Sequence, residues 1–256
     1  QPTVWMGMSS YALHLANLAE VQGIDLAGSS VKKVLCSAEP ISAAKREKIE
    51  RSWGAEVCDT FGMTECCLMG AEDASKDGFR IWTDMFLVEV LDPDTYEPVA
   101  EGETGTLVST CLWNINATPF IRWDSGDLVT YRPAEAGGEA GEFSVFPVVK
   151  HAHRTTGFFK VRGVNITHAD FEDLMFRNAA LNDFKCEAVA TDGNDALRVS
   201  IEVKQGMDPA AVVKAVGEDV KRVFEVTADV RLLDTGTLAA EFEGAVKAPR
   251  FQDNRE

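Results

Sequence analysis

A strand, a helix and a second strand follow one another early in this sequence, and that order constrains the fold most strongly. Residues 31–36 and the shorter run 55–59 carry apolar residues in the pattern of buried strands. Between them, Ser42 is placed to cap a charged helix over residues 43–53, and Gly54 is placed to end it. This alternation predicts a parallel α/β unit.

Two loops of this unit are candidate ligand-binding loops. In parallel α/β sheets, ligands bind at the carboxyl ends of the strands. Here those ends are the loops 36–40 and 59–65. An earlier helix precedes the unit, and we expect Ser9 or Ser10 to cap it and Gly23 to end it.

The sequence changes character after Met85. Short alternating strands are predicted at 86–91, 105–110 and 127–132, separated by turns, which is typical of a small β-rich subdomain. The acidic, glycine-rich stretch 134–141 is predicted to be a surface loop. Because it contains no Lys or Arg, it is a poor cradle for phosphate.

A second mixed pattern closes the chain. Its elements follow the order β-α-β-β-α-β, at residues 158–162, 168–177, 184–190, 197–203, 209–224 and 227–233. This order predicts a small ferredoxin-like domain. The whole chain is therefore expected to be α/β plus α+β, with one domain over residues 1–153, a hinge at 154–157 and a small mobile domain over 158–256.

The balance of charges excludes whole classes of partner. The chain has 25 Lys and Arg against 41 Asp and Glu, a net charge of −16, and no basic patch offsets it, so nucleic acid and membrane binding are not expected. The six cysteines lack the spacing of a zinc site or a disulfide framework, which favours a cytoplasmic protein. Because the chain starts at Gln1 without an initiating Met, we expect that further sequence precedes it.

Two short motifs carry groups suited to a nucleotide. Phe61, Gly62, Thr64 and Glu65 offer an aromatic face, a tight turn, a hydroxyl and a carboxylate, which suit adenine, phosphate and Mg²⁺. Asp127 follows a glycine and is suited to the hydroxyls of a ribose. Taken singly, the first motif is explained equally well as a turn with a solvated Thr and Glu. The second is more commonly an Asx turn.

It is the order of several motifs that is specific. They are Ser-Ala-Glu-Pro at 37–40, Asp-Thr-Phe-Gly-Met-Thr-Glu at 59–65, Trp-Asp-Ser-Gly-Asp-Leu at 123–128, Arg154 with the run 160–165, and a C-terminal segment with a lysine. In this order they resemble the adenylate-forming superfamily, and within it the phenylacetate-coenzyme A ligase family. The resemblance covers nearly the whole chain. It implies the C-terminal part of the large adenylate-forming domain, followed by the small domain.

The resemblance implies a two-step reaction. A carboxylate attacks the α-phosphate of ATP, which gives an acyl-adenylate and pyrophosphate, and the thiol of coenzyme A then takes the acyl group. The implied cofactors are ATP, Mg²⁺ and coenzyme A. The implied partner is an aromatic or arylacetic carboxylic acid, and the resemblance is compatible with a homodimer.

Roles for individual residues follow from the same resemblance. Ser37, Ala38 and Glu39 line the adenine pocket. Phe61, where the family usually has Tyr, stacks on the base beside Gly62.

Further roles concern the phosphates, the ribose and the acid. Thr64 contacts the α-phosphate, Glu65 binds Mg²⁺ and Asp127 binds the ribose hydroxyls. Arg154 contacts the ribose or a phosphate. Arg162 and Gly163 belong to a loop that faces the site when the small domain rotates. The acid pocket is formed by Tyr11, Ser37 and Ala38.

The C-terminal segment gives two candidates for the adenylation lysine. The family's Glu-Gly-Lys-x-x-Arg corresponds to residues 243–250, with two extra residues. Counting forward from Gly244 gives Ala245, whereas counting back from Arg250 gives Lys247. Residues 253–255 also fit the family's ending, so we assign Lys247. The alternative is a solvent-exposed tail lysine.

Departures from the family pattern leave other functions open. The family's Gly/Ser/Thr-rich phosphate loop would lie upstream of these residues, and no G-x-x-x-x-G-K-[ST] motif replaces it. The hinge reads His-Arg-Thr-Thr-Gly at 153–157, without the family's acidic residue. The alternatives to an aryl-acid:coenzyme A ligase are adenylation with transfer to an amine or carrier thiol, and nucleotide binding without turnover.

Overall fold

The structure, a computed structural model, describes residues 1–113, 118–134, 143–152, 157–191, 194–245 and 248–255. The chain divides into two units. The first comprises Gln1–Val34, Glu39–Val57 and Thr155–Glu256, and the second comprises Leu35–Ala38 and Cys58–Arg154. Residues 154–156 of the predicted hinge lie outside the described residues, so the predicted domain division stays a prediction.

Helices are found near the two ends of the described chain, and strands throughout it. The strands are β1 (Val4–Met8), β2 (Lys33–Ser37), β3 (Glu56–Met63), β4 (Cys67–Glu72), β5 (Phe79–Ile81), β6 (Phe86–Leu91), β7 (Thr104–Cys111), β8 (Trp123–Arg132), β9 (Val148–His151), β10 (Phe158–Val161), β11 (Val164–Thr167), β12 (Leu181–Thr191), β13 (Asn194–Val203), β14 (Ala228–Leu233) and β15 (Phe251–Asn254). The helices are α1 (Ser9–Gln22), α2 (Ala43–Trp53), α3 (His168–Arg177), α4 (Pro209–Phe224) and α5 (Thr237–Phe242).

Helix α2 begins and ends where its local signals predict. The Ser42 hydroxyl accepts the N–H of Lys45 at 3.2 Å, and Gly54 follows the last turn with φ 59°. A Cβ atom at Gly54 would lie 2.8 Å from the carbonyl oxygen of Ala27, so this position requires glycine for space as well as for conformation. Both predicted ends of the helix are confirmed.

Helix α1 ends as predicted and begins differently. Gly23 follows its last turn with φ 66°. The N-cap residue is Met8, whose side chain makes no capping hydrogen bond, and Ser9 and Ser10 lie buried inside the first turn. The predicted serine cap is therefore wrong, and another residue must satisfy the first N–H groups of this helix.

Strand β3 is longer than its sequence predicts. It continues to Met63 because it pairs antiparallel with β4, with Thr60 opposite Ala71 and Met63 opposite Cys67. The register shifts between Phe61 and Gly62. The predicted loop 59–65 is therefore corrected: residues up to 63 belong to the strand, because pairing with a distant strand extends it beyond its local signals.

The second unit is β-rich, as predicted. Its sheet runs in the order β3-β4-β5-β9-β8-β7-β6, and the predicted strands at 86–91, 105–110 and 127–132 are confirmed, the last with an earlier start. Apolar side chains from successive strands form its core, among them Phe61, Met69, Phe86 and Val149. The predicted loop at 134–141 lies almost wholly outside the described residues.

The C-terminal part of the first unit keeps the predicted order of elements. A sheet in the order β14-β13-β12-β15 has β12 and β13 antiparallel, with β14 and β15 parallel to their neighbours. The first strand of the pattern, β10, forms a separate two-stranded hairpin with β11, and β15 provides the fourth strand of the sheet.

Helices α3 and α4 have the predicted bounds and cover this sheet with apolar faces. Along α4, Val212, Val216, Val220 and Phe224 are buried at a spacing of four residues. Within the first unit, the α3 residue Phe171 lies 5.5 Å from Phe224, measured between ring centroids. No helix in the described ranges is long and apolar enough to cross a bilayer.

Candidate active site

Glu39 satisfies the first turn of α1. Its carboxylate accepts the Ser9 hydroxyl at 2.9 Å, the Ser10 N–H at 2.8 Å and the Ser10 hydroxyl at 2.9 Å. Although burial opposes ionisation, the charge of Lys45 and the Ser10 and Ser9 hydrogen bonds hold the pKa of Glu39 below its usual value. A carboxylate at a helix N-terminus is also favoured by the helix dipole.

These hydrogen bonds of Glu39 therefore hold the loop after β2 against α1, although Glu39 and Ser10 are 29 residues apart in the sequence. Glu39 is predicted to line the adenine pocket, whereas in the structure its carboxylate hydrogen-bonds to the first turn of α1. The adenine role of this residue stays a prediction. The sequence offers one signal for this capping role. Met8, the N-cap residue of α1, has no side-chain oxygen that can accept a hydrogen bond from Ser9 or Ser10, so another residue must do so.

Ser37 and Ala38, in the second unit, lie at the carboxyl end of β2. Ala38 adopts φ 67°, a conformation that non-glycine residues seldom adopt and that is concentrated at functional sites. The preceding residue, Cys36, accepts a hydrogen bond from the Thr60 hydroxyl at 2.8 Å through its carbonyl oxygen. The β2 terminus and β3 are thus bonded beside the predicted adenine pocket.

The motif at 61–65 is divided between a strand and a turn. Phe61 is only 5% exposed, and its ring lies 5.4 Å from that of Phe79 and 5.1 Å from that of His151, between centroids. Thr64 and Glu65 lie in the turn between β3 and β4, with Thr64 exposed and Glu65 half-buried. The ring is covered by protein here, and adenine stacking by Phe61 stays a prediction.

Gly62 is required by the close approach of β4. A Cβ atom at this position would lie 2.4 Å from the carbonyl oxygen of Cys67. The predicted tight turn at Gly62 is in fact a strand position beside a bulge. The glycine therefore sets the path of the chain into the Thr64–Glu65 turn.

Asp124 and Asp127 have different surroundings in β8. Asp124 accepts the Thr106 hydroxyl at 2.6 Å, the Gly126 N–H at 3.0 Å and the Tyr96 hydroxyl at 3.1 Å. The hydrogen bonds from Thr106 and Gly126 hold its pKa below the usual value. The Asx turn considered for this motif is thus present, and it presents Asp127 as a half-buried carboxylate after Gly126.

Arg162 and Gly163 form the two-residue turn of the β10–β11 hairpin. Their φ angles are 50° and 85°, as a type I′ turn requires. The Arg162 guanidinium donates to the carbonyl oxygen of Asp195 at 3.0 Å. A Cβ atom at Gly163 would meet nothing within 4 Å, so glycine is favoured here by its positive φ and not by lack of space.

The C-terminal tail lies beside the first turn of α1 within the first unit. A cleft of about 20 Å³ is lined by Ser10, Tyr11 and His14 of α1 and by tail residues that include Ala245 and Ala248. A space of this size holds one water molecule and no aromatic ring. Lys247 and Arg154 lie outside the described residues, yet the residues flanking 246–247 contact the same cleft as Tyr11.

A buried ion pair that the sequence analysis missed fixes the tail. Arg250 donates to both oxygens of Asp183, at 2.9 and 3.0 Å, and both side chains are almost fully buried. Asp183 also accepts the side-chain amide of Asn17 at 2.7 Å. Burial opposes ionisation, but Arg250 keeps the pKa of Asp183 below its usual value. In the sequence, Arg250 serves only to locate the adenylation lysine, and no local pattern predicts that its side chain pairs with Asp183.

The predicted magnesium site consists of Glu65 alone. In the part of the chain that the structure describes, no three or more His, Cys, Asp or Glu residues are grouped to hold a metal ion. Mg²⁺ is commonly bound through one or two carboxylates together with substrate phosphates. A single half-buried carboxylate fits that mode, and magnesium binding by Glu65 stays a prediction.

Comparison with known proteins identifies the class to which this fold belongs. Residues 1–110 match the family described as AMP-binding enzyme. The resemblance to the adenylate-forming superfamily and the fold class, both predicted from the motifs, are confirmed.

Within that superfamily, the chain is similar to phenylacetate-coenzyme A ligases. It is 31% identical over 266 residues to the enzyme of Aromatoleum evansii, an alignment that covers 100% of this chain and 58% of that protein. The chain thus spans little more than half the length of this curated relative.

Solved structures of one ligase are also similar. The 2-hydroxyisobutyryl-CoA ligase in its postadenylation state, in complex with 2-HIB-AMP, matches with a TM-score of 0.75 and 26% identity over 99% of this chain and 55% of its own. The same ligase in its thioesterification state, with 2-HIB-AMP and CoA, matches with a TM-score of 0.54 and 26% identity over 100% of this chain and 55% of its own.

Proposed function

We propose that this protein activates an aromatic or arylacetic carboxylic acid with ATP and transfers the acyl group to coenzyme A. The observation that carries the proposal is the similarity along the whole chain to phenylacetate-coenzyme A ligase, at 31% identity. The order of the motifs at 37–40, 59–65 and 123–128 agrees with it. We place the reaction in the cytoplasm.

In the first step, a carboxylate oxygen of the acid bonds to the α-phosphorus of ATP. The bond from the α-phosphorus to the bridging oxygen breaks, and pyrophosphate leaves with the electron pair. Such a reaction needs positioning and charge neutralisation more than covalent help. We assign contact with the α-phosphate to Thr64 and the binding of Mg²⁺ to Glu65. The bound ion would offset charge on the phosphates.

In the second step, the thiolate of coenzyme A bonds to the acyl carbon, and AMP leaves. The turn at Arg162 and Gly163 is the part of the small domain that we assign to this step. We assign Lys247 to the first step only. The contact of its neighbours Ala245 and Ala248 with the Tyr11 cleft supports that assignment.

The acid substrate is expected to carry an aromatic ring. The family resemblance assigns Tyr11, Ser37 and Ala38 to the acid, and Ser37 and Ala38 have small side chains that suit contact with a flat ring. In acid-dependent exchange of pyrophosphate into ATP by the complete protein, benzoate and phenylacetate should give higher rates than acetate or butyrate. Faster exchange with the short aliphatic acids would contradict the assigned substrate class. Absence of exchange with every acid would instead indicate nucleotide binding without turnover.

Replacing Asp127 by alanine should weaken AMP binding about tenfold to a hundredfold. The reason is that a carboxylate can accept both ribose hydroxyls, and a lost hydrogen bond to a charged group costs roughly 1.5–3 kcal/mol. Isothermal titration calorimetry measures the effect. Asp94→Ala, which removes an exposed carboxylate from a turn of the same unit, is the matched control. Equal AMP affinity in the Asp127 and Asp94 variants would remove Asp127 from the nucleotide site.

A further inference from the structure

The first unit contains a cavity of about 430 Å³ that the proposed reaction does not use. The C-terminal half of α1, the loop after it and the last turns of α2 form one side. The start of β12 and the residues after β13 form the other. Of the residues assigned to nucleotide, acid or magnesium binding, none that the structure describes lies on this cavity.

Three cations line the cavity, Lys48, Arg51 and Lys204. Lys48 is 2% exposed, and its ammonium donates to the carbonyl oxygens of Leu181, at 3.3 Å, and Asn182. Arg51 is exposed and Lys204 half-buried. Among the described residues, neither Arg51 nor Lys204 has a carboxylate oxygen within the 4.0 Å of an ion pair.

The three cations lie close enough to affect one another. Burial lowers the pKa of Lys48 to about 7, against the opposing charge of Asp183, and Arg250, Lys204 and Arg51 lower it further. Burial also lowers the pKa of Lys204, as does Arg51, while Glu20 opposes the change. Mutual repulsion of this kind is relieved by an anion, and a concave site concentrates the field.

Two carboxylates also line the cavity, and their positions limit the positive field. Asp25 accepts the N–H of Gly28 at 2.9 Å within its own loop. Glu20 is half-buried on α1 and acts on Lys204 electrostatically. Glu20 therefore reduces the attraction of the cavity for an anion. Removing the Glu20 charge should strengthen anion binding, whereas removing a cation should weaken it.

We propose that this cavity is a binding site for a small oxyanion of the phosphate class that carries two or more negative charges. Arg51 and Lys204 donate to the anion at the mouth of the cavity, and Lys48 provides a positive charge at its buried end. The described residues assigned to acid activation do not line this site, and sulfate binding can be measured without acid or ATP, so the two proposals are tested separately.

Calorimetric titration of the purified chain with sulfate tests the proposal. Sulfate is the probe because it keeps its double charge from about pH 6 to about pH 8. Lys204→Gln should weaken sulfate binding about tenfold, the scale of one charge-assisted hydrogen bond. Glu20→Gln should strengthen binding. Lys214→Gln removes the same charge from an exposed position of α4 and should leave it unchanged.

The pH dependence gives a second readout. Because the pKa of Lys48 is about 7, its charge is present at about pH 6 and largely lost at about pH 8. Sulfate binding should therefore weaken as pH rises through this range, and any titration of Lys204 acts in the same direction. Asp183 and Arg250, the other charges facing Lys48, keep their charge throughout.

Several results would overturn the proposal. They are no sulfate binding, an equal loss in Lys204→Gln and Lys214→Gln, a loss in Glu20→Gln, or binding that is independent of pH. Asp127→Ala should leave sulfate binding intact, and a loss there would place the anion elsewhere. Failure of acid-dependent exchange with intact sulfate binding would count against the proposed function alone.

Discussion

Lys247→Ala is expected to slow acyl-adenylate formation about a hundredfold to a thousandfold. That range is typical of one preorganised charge aimed at a transition state in a water-poor site. In our assignment, Lys247 neutralises charge that develops between the acid and the α-phosphate. Thioester formation from a preformed acyl-adenylate should keep its rate, because that half-reaction does not use this lysine. Single-turnover measurement of each half-reaction separates the two effects.

Lys221→Ala, at an exposed position of α4, is the matched control for Lys247→Ala and should slow neither half-reaction. An equal fall in both half-reactions, or in neither, would show that Lys247 is not the adenylation lysine. The count from Arg250 would then be wrong, and the segment after Gly244 would have another role.

Asp183→Asn should lower the free energy of unfolding by about 3–5 kcal/mol, the cost of leaving one member of a buried ion pair without its partner. The substitution keeps the size of the side chain, but the buried Arg250 guanidinium loses its counter-charge. Urea denaturation measures the change. Asp229→Asn, which removes a carboxylate paired with Arg231 on the exposed side of β14, should cost less than about 1 kcal/mol.

The loss in Asp183→Asn should depend on pH in a definite direction. Arg250 holds the pKa of Asp183 below its unfolded value despite burial. The stabilisation by the carboxylate is therefore fully present above the unfolded pKa of about 3.9, and it is lost as pH falls through the lower folded value. The difference between parent and variant should shrink in acid. An equal cost for the Asp183 and Asp229 variants would contradict a stabilising role for the buried pair.

Elements with local signals at both ends were predictable from the sequence. Ser42 and Gly54 fix the bounds of α2, and the buried apolar residues of α4 recur every four residues. Both helices were predicted to the residue because capping and helical periodicity act over a few positions of the chain.

Elements that depend on distant partners could not be predicted as well. β3 continues to Met63 because β4 pairs with it. The C-terminal sheet takes its fourth strand, β15, from the end of the chain, whereas β10 pairs with β11 in a separate hairpin. The first turn of α1 is capped by Glu39, 29 residues away from Ser10. Such contacts are set by tertiary packing, which local patterns do not encode.

The candidate site shows the same division. The Asp124–Gly126 turn that presents Asp127 follows from a local Asx pattern, which is visible in the sequence. The Asp183–Arg250 pair joins residues 67 positions apart, and the cations Lys48 and Lys204 come from different ends of the chain. Neither arrangement has a local signature, so only the structure reveals them.

The products formed by the complete protein test the central claim most directly. With ATP, Mg²⁺, phenylacetate or benzoate, and coenzyme A, mass spectrometry should detect the aryl thioester of coenzyme A and AMP in equal amounts, with no ADP. Thioester should disappear when the acid is omitted. Acyl-adenylate that accumulates without reacting with coenzyme A would indicate another acceptor, and the absence of both adenylate and thioester would contradict the proposed activity.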